Sequence, residues 1–96
     1  MLYEFTEVEK EQVLTNFFTN TDPLQISVIP SKLKKQYIVL CIIINQFQKG
    51  ASYSEKEVNN ILGQVHFDFA SLRRGLIDFR LLERTRDGSS YWVKEN

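Results

Sequence analysis

Two adjacent arginines, Arg73 and Arg74, are the residues whose chemistry stands out most clearly in this chain. A guanidinium group donates hydrogen bonds in a fixed planar fork, which matches the paired acceptors of guanine and the oxygens of a phosphate. Leu72 and Leu76 repeat at helical spacing and are expected to face a core, so the arginines and Ser71 are expected on the opposite, exposed face. The pattern therefore indicates a helix that presents hydrogen-bond donors to a nucleic acid.

Other side chains that could contact DNA phosphates or base edges are Lys32, Lys34, Lys35, Gln64, Arg84 and Arg86. The lysines fall in the first turn of a predicted helix, where each opposes the helix dipole by about a few tenths of a kcal/mol. That cost suggests either phosphate contact or a simple solvated helix end. The arginines have an equally plain alternative, since Asp78 follows Arg74 by four residues and is a possible intrahelical partner.

The charge distribution places the basic surface in the later part of the chain. The net charge is zero, but up to Pro30 five acidic residues oppose Lys10 alone, giving −4 there and +4 in the remainder. A neutral total is weak support for a nucleic-acid binder, whereas a concentrated basic region favours one.

Catalysis, metals and cofactors are not expected. His66 is the only histidine and Cys41 the only cysteine, so a zinc cluster, a Cys-His pair and a Ser-His-Asp triad cannot be built. The four glycines are scattered rather than grouped in a phosphate-binding loop. We expect His66 to cap or pack in a turn and Cys41 to pack in a helix.

Localisation is predicted to be cytoplasmic. A lone cysteine forms no intrachain disulfide, and the acidic N-terminal segment does not resemble a secretory signal. The most apolar stretch, residues 37–44, is far shorter than the roughly 20 residues that a membrane span needs.

The first half of the chain predicts two helices. Thr6 and Glu9 have capping-box spacing, which predicts a helix over 7–18 with Val8 on its apolar face. A polar turn over 19–23 and a short strand near 26–28 should follow. Ser31, placed after Pro30, is expected to cap a central helix that runs to about Gln48.

The second half predicts a helix, a turn, a second helix and a hairpin. Ser54 and Glu57 form another capping-box pattern, which begins a helix at Glu55 that Gly63 should end after two to three turns. A turn over 64–67 then leads to a helix over 68–79, capped by Asp68. Strands over 81–85 and 90–93 flank Asp87-Gly88, a strong hairpin signal.

This order of elements predicts one domain over 1–96, α+β and mostly helical. It is a winged helix-turn-helix with an additional N-terminal helix over 7–18, a core over 26–93 and a C-terminal β-hairpin wing. In such folds the exposed face of the third helix enters the DNA major groove and the wing approaches the backbone.

Several motifs resemble a family of uncharacterised bacterial domains. They are Pro30-Ser31-Lys32, Tyr53-Ser54-Glu55-Lys56-Glu57-Val58-Asn59, Leu72-Arg73-Arg74 with Leu76-Ile77-Asp78, and Asp87-Gly88 before Tyr91-Trp92. Members of that family look like winged-helix regulators, and some are joined to ArsR-type domains. The resemblance, from about Val8 to Trp92, implies a role in transcription.

Two positions depart from the family pattern. Gly75 stands inside a helix and is expected to lower helix stability by about 1 kcal/mol relative to alanine. Arg80 stands where the family has a glycine that closes the helix, so a left-handed backbone there would cost arginine about 1 kcal/mol.

The leading hypothesis from the sequence is a DNA-binding transcriptional regulator that is not an enzyme. It recognises duplex DNA through helix 68–79 and forms a homodimer through the N-terminal helix. The alternative is a winged-helix module that binds a protein partner and no DNA, which the neutral net charge favours. A third possibility, a domain that senses a small molecule, would require an apolar pocket.

Overall fold

Residues 3–95, the part of the chain that the computed structural model describes, form four α-helices and two small antiparallel sheets. The bounds in chain order are α1 Glu7–Phe17, β1 Phe18–Thr21, β2 Leu24–Ile26, α2 Leu33–Ile43, α3 Glu55–Val65, α4 Phe69–Asp78, β3 Leu82–Arg84 and β4 Tyr91–Val93. Strand β1 pairs with β2, and β3 pairs with β4. This arrangement agrees with the predicted fold class, although residues 1, 2 and 96 of the predicted domain lie outside the described part.

Local hydrogen bonds start three of the four helices where the sequence predicts. The Thr6 hydroxyl oxygen accepts from the Glu9 N–H at 3.1 Å, and the Glu9 carboxylate accepts from the Thr6 N–H at the same distance. An equivalent capping box with Ser54 begins α3, and the Asp68 carboxylate caps α4. These starts depend on residues three positions apart, so the sequence alone locates them.

The hairpin of β1 and β2 corrects the prediction for residues 18–28. The polar segment expected to be a turn is largely a strand, in which Phe18 pairs with Ile26 and Thr21 with Leu24. Phe18, Leu24 and Ile26 are buried. Because these apolar residues at both ends of the polar segment pack into the core, the segment between them is held in position to pair as a hairpin. Val28, predicted in a strand, lies beyond β2 and is exposed.

Helix α2 begins and ends differently from the prediction. Lys32, not Ser31, occupies its N-cap position and makes no side-chain cap hydrogen bond. The helix stops at Ile43 and continues only as a 3₁₀ turn over Ile44–Gln46, short of the predicted Gln48. The apolar run of α2 nonetheless forms the centre of the core, with Ile38, Val39 and Ile43 almost fully buried.

Helix α3 has the predicted length of about three turns, but its end extends two residues into the segment predicted as a turn. It passes through Gly63 and Gln64 and ends at Val65, so Gln64 lies in the last helical turn rather than in the turn between the helices. Leu62 and Val65 are buried and hold this last turn against the core. Tertiary burial here outweighs the weak helix propensity of glycine.

Burial on α1 and the wing completes the core. Val13 of α1 is buried, but Val8, predicted on the apolar face, is 66% exposed. In the wing, Leu82 and Tyr91 are buried, and Tyr53 exchanges two backbone hydrogen bonds of 2.8 Å with Tyr91. Tyr53, in the segment before α3, thereby pairs with β4 and connects the wing to the helices.

Arg80, at the end of α4, has the left-handed backbone expected at the position where the family pattern has glycine. Arg80 has φ of 60°, in the left-handed region, and its N–H donates to the Ile77 carbonyl at 3.0 Å. This backbone conformation therefore costs about 1 kcal/mol more with arginine than it would with glycine.

Gly75 has a packing role that the sequence does not reveal. A Cβ atom at this position would lie 2.8 Å from the Leu40 Cδ1 atom, too close for an unshifted neighbour. Leu40 belongs to α2 and is buried, so it has little room to move. The glycine lets α4 approach α2 closely, which offsets its low helix propensity.

Replacing the two helical glycines by alanine should therefore have opposite effects. Gly63→Ala should raise the free energy of unfolding by about 0.5–1 kcal/mol, because its new methyl group meets only Phe69 Cδ2 at 3.8 Å. Gly75→Ala should lower it by about 1 kcal/mol, since overpacking of about 1–3 kcal/mol exceeds the propensity gain. Urea denaturation of both variants measures this, and an equal stabilisation by the two would contradict the packing role.

Candidate nucleic-acid interface

The outward face of α4 is a narrow stripe that leads away from the core. Leu72 and Leu76 are buried on the inner side. The exposed residues of the helix are Ala70, Ser71, Arg74 and Asp78. Because a helix turns by about 100° per residue, Arg73 lies about 100° around the helix from Arg74 and is only partly exposed, to one side of this stripe.

Of the two adjacent arginines of α4, Arg74 is the exposed one. It is exposed on the stripe, and no hydrogen bond or salt bridge joins it to another of the residues in 3–95. The predicted intrahelical salt bridge with Asp78 does not form, although both residues line the same cleft. The Arg74 guanidinium can therefore donate to a partner without first leaving one within the described chain.

Arg73 is instead engaged within the protein, which corrects the expectation that both guanidinium groups face solvent. Its side chain is 25% exposed, and its Nη1 donates a hydrogen bond to Asn59 Oδ1 on α3. Its Nε lies 3.9 Å from Glu55 Oε1. The same Glu55 oxygen accepts from the Tyr91 hydroxyl at 3.2 Å. Arg73 and Glu55 thus join α3, α4 and the wing.

Tyr91 remains a donor in this junction at neutral pH. Burial, followed by the neighbouring Glu55 carboxylate, raises the pKa of the Tyr91 phenol above its usual value. The protonated hydroxyl therefore keeps its hydrogen bond to Glu55, and the wing keeps its position beside α4.

The turn of the wing is held by a local network around Asp87. Its carboxylate accepts from the Ser89 and Thr85 hydroxyls, each at 2.8 Å, and from the Ser89 N–H at 3.1 Å. These hydrogen bonds, led by that of the Ser89 side chain, lower the pKa of Asp87 to about 2. The predicted hairpin turn thus carries a fixed negative charge beside Gly88, whose φ is 75°.

The predicted phosphate contacts of the wing differ in availability. Arg84 folds onto the turn, with its Nη1 donating to the carbonyls of Thr85 at 3.0 Å and Arg86 at 3.1 Å. Both arginines are exposed. Within residues 3–95 the Arg86 guanidinium makes no such hydrogen bond, so Arg86 is the more available of the two.

A cleft of about 350 Å³ separates α4 from the wing. Its charged lining residues are Glu55, Arg73, Arg74, Asp78, Arg84 and Asp87. Three cationic side chains thus face three carboxylates. The cleft is close to electrically neutral, so the positive charge available to a partner depends on which arginines are held internally.

The three lysines lie in a different groove. Lys34 Nζ is 2.8 Å from Glu9 Oε2, and Lys35 Nζ lies 5.9 Å from the centre of the Phe17 ring. Together with Lys32 they line a groove between α1 and α2. The structure therefore separates the predicted basic residues into an arginine set beside the wing and a lysine set beside α1.

The turn between α3 and α4 holds an aromatic pair that the sequence analysis missed as a candidate site. The rings of His66 and Phe67 stack at 4.5 Å, and His66 Nδ1 accepts from the Asp68 N–H at 3.0 Å. Phe67 is nevertheless 85% exposed. The signal in the sequence was an aromatic residue that falls outside the apolar periodicity of both flanking helices.

Ser71 and Gln64, the predicted hydrogen-bonding residues, are both exposed near this turn. The Ser71 hydroxyl donates to Asp68 Oδ2 at 2.7 Å, which leaves its oxygen lone pairs as acceptors. Hydrogen bonds from the Ser71 side chain and backbone lower the pKa of Asp68, so this cap is ionised.

The cysteine and the potential metal-binding side chains do not form a second site in residues 3–95. Burial raises the pKa of the Cys41 thiol, which disfavours the nucleophilic thiolate. Within residues 3–95, histidine, cysteine and acidic side chains form no group of three that could hold a metal ion. In the same stretch no helix has the length and apolar character to cross a bilayer.

Comparison with known sequences identifies one family. Residues 25–93, from β2 to the end of β4, match a family described as uncharacterized proteins conserved in bacteria (DUF2087). No curated protein and no solved structure matches the chain.

Proposed function

The chain belongs to this bacterial family, DUF2087, and we propose that it is a cytoplasmic transcriptional regulator that binds duplex DNA and has no catalytic activity. In this proposal α4 lies in the major groove, where Arg74 contacts base edges, and the wing lies along the backbone, where Arg86 contacts phosphate. The observation that carries the proposal is the unengaged Arg74 on the exposed stripe of α4, beside a wing fixed by the Glu55 junction.

The dimensions of the elements suit this arrangement. The major groove is about 12 Å wide, which accommodates one α-helix, and arginine can donate two hydrogen bonds to the O6 and N7 atoms of guanine. The ten residues of α4 span about 15 Å along its axis, so its stripe can face several base pairs.

One module offers few contacts, so the proposed regulator acts as a dimer. A single DNA-binding module buries about 600–1,000 Å² of protein surface, and two half-sites supply the remaining specificity. The outer face of α1, where Val8 is exposed, is the proposed surface for pairing two copies.

One observation favours a second candidate, a module that binds a protein partner without DNA. The cleft beside α4 contains as many carboxylates as arginines, and DNA phosphates would be repelled by Asp78 and Asp87. A partner surface with charges of both signs would suit such a cleft.

Binding to a pool of random-sequence duplexes at several salt concentrations separates the two candidates. We expect selection to enrich a sequence, and the affinity for it to fall with salt by about 0.9 logarithmic units per phosphate contact for each tenfold increase. A complex insensitive to salt would contradict this mechanism. The absence of any DNA complex, together with a stoichiometric protein complex, would establish the second candidate.

A further inference from the structure

Phe67 is the most exposed large apolar side chain in the described chain, at 85%, and it stands immediately before the N-cap of α4. Burying a phenylalanine side chain is worth about 1.5–3 kcal/mol, and the folded monomer leaves most of that unrealised. The position matters because the N-terminal residues of a recognition helix are those that contact base edges.

One face of the Phe67 ring already has an aromatic neighbour before any partner arrives. It stacks on His66, whose Nδ1 is fixed by the Asp68 N–H. This stacking restricts the ring, which reduces the entropic cost that a partner contacting it would have to meet.

The surroundings of Phe67 favour an uncharged apolar group over a phosphate. The ionised carboxylate of Asp68 is adjacent and would repel a phosphate oxygen. In the major groove, the uncharged apolar feature of a base edge is the C5-methyl group of thymine.

We propose that Phe67 contacts the methyl group of thymine at one end of the DNA half-site, while Arg74 contacts guanine at the other. The inference rests on the proposed function and assigns the base preference of that same site. Phe67 lies seven positions before Arg74, a separation of about 10 Å when each position is counted at the α-helical rise. That length corresponds to about three base-pair steps, so the thymine should precede the guanine contact by a few base pairs.

Replacing thymine by deoxyuridine removes only the methyl group and tests the proposal directly. In the duplex selected by the wild-type protein, thymines are replaced one position at a time, and the dissociation constant is measured by fluorescence anisotropy. We expect a loss of roughly three- to fivefold at one or two positions, as for one buried methyl group. Phe67→Ala should bind more weakly and show no difference between thymine and deoxyuridine at those positions.

Two control variants make the outcome specific. Leu33→Ala removes another exposed apolar side chain, at the start of α2, and should keep the wild-type discrimination. Phe67→Leu should retain part of it, because leucine keeps an apolar contact. Equal wild-type affinity for thymine and deoxyuridine at every position would overturn the base assignment. Discrimination that survives in Phe67→Ala would overturn the role of Phe67, whereas a wild-type protein that binds no duplex would overturn the proposed function itself.

Discussion

Arg74→Ala is expected to weaken binding of the selected duplex by roughly tenfold to a hundredfold, with no change in protein stability. A bidentate arginine–guanine contact contributes about 1–3 kcal/mol of discrimination. Arg74 is exposed and forms no salt bridge with Asp78 or any other acidic residue in 3–95, so its removal breaks no ion pair in that part of the fold. Anisotropy titrations at constant salt measure the affinity, and thermal unfolding measures the stability.

Arg73→Ala provides the matched control, because it removes the same charge one residue away. It deletes the hydrogen bond to Asn59 and the contact with Glu55, so we expect a stability loss of about 1 kcal/mol. Its effect on DNA affinity should be smaller than that of Arg74→Ala. Equal losses of affinity from the two variants, or a larger loss from Arg73→Ala, would contradict the division of roles seen in the structure.

Leu76→Ala is expected to lower the free energy of unfolding by about 3 kcal/mol. Leu76 has no exposed surface, and α4 packs against α2, α3 and β3, so truncation leaves a cavity that three elements border. Since domains of this size have about 5–15 kcal/mol of stability in total, the loss is a large fraction. For a chain of this length the melting temperature should fall by more than 10 °C, at about 4–8 °C per kcal/mol.

Leu33→Ala makes the same chemical change on a side chain that is 59% exposed. It should alter stability by no more than about 0.5 kcal/mol, as surface substitutions usually do. Urea denaturation of both variants, analysed with a common slope, gives the comparison. A loss below about 1 kcal/mol for Leu76→Ala would mean that α4 does not pack as the structure describes.

The sequence by itself determined three of the four helix starts and the wing turn. The hydrogen bonds of Thr6, Ser54 and Asp68 join residues three positions apart, and the Asp87-Gly88 turn closes between adjacent strands. Such interactions depend on local spacing and backbone preference, which can be recognised in a single sequence. The order of elements followed from them, and with it the α+β class.

Only the tertiary structure decided which of these residues face a partner. Arg73 and Arg74 are identical in type and adjacent in sequence, yet Asn59 and Glu55 engage one and leave the other open. Gly75 weakens a helix considered alone, but a Cβ atom there would lie 2.8 Å from Leu40 Cδ1 of α2. The pairing of β1 with β2, the extension of α3 through Gly63 and the exposure of Phe67 likewise depend on packing between distant segments. Side-chain contacts across elements carry no fixed spacing along the chain, and for that reason they appeared only once the chain was folded.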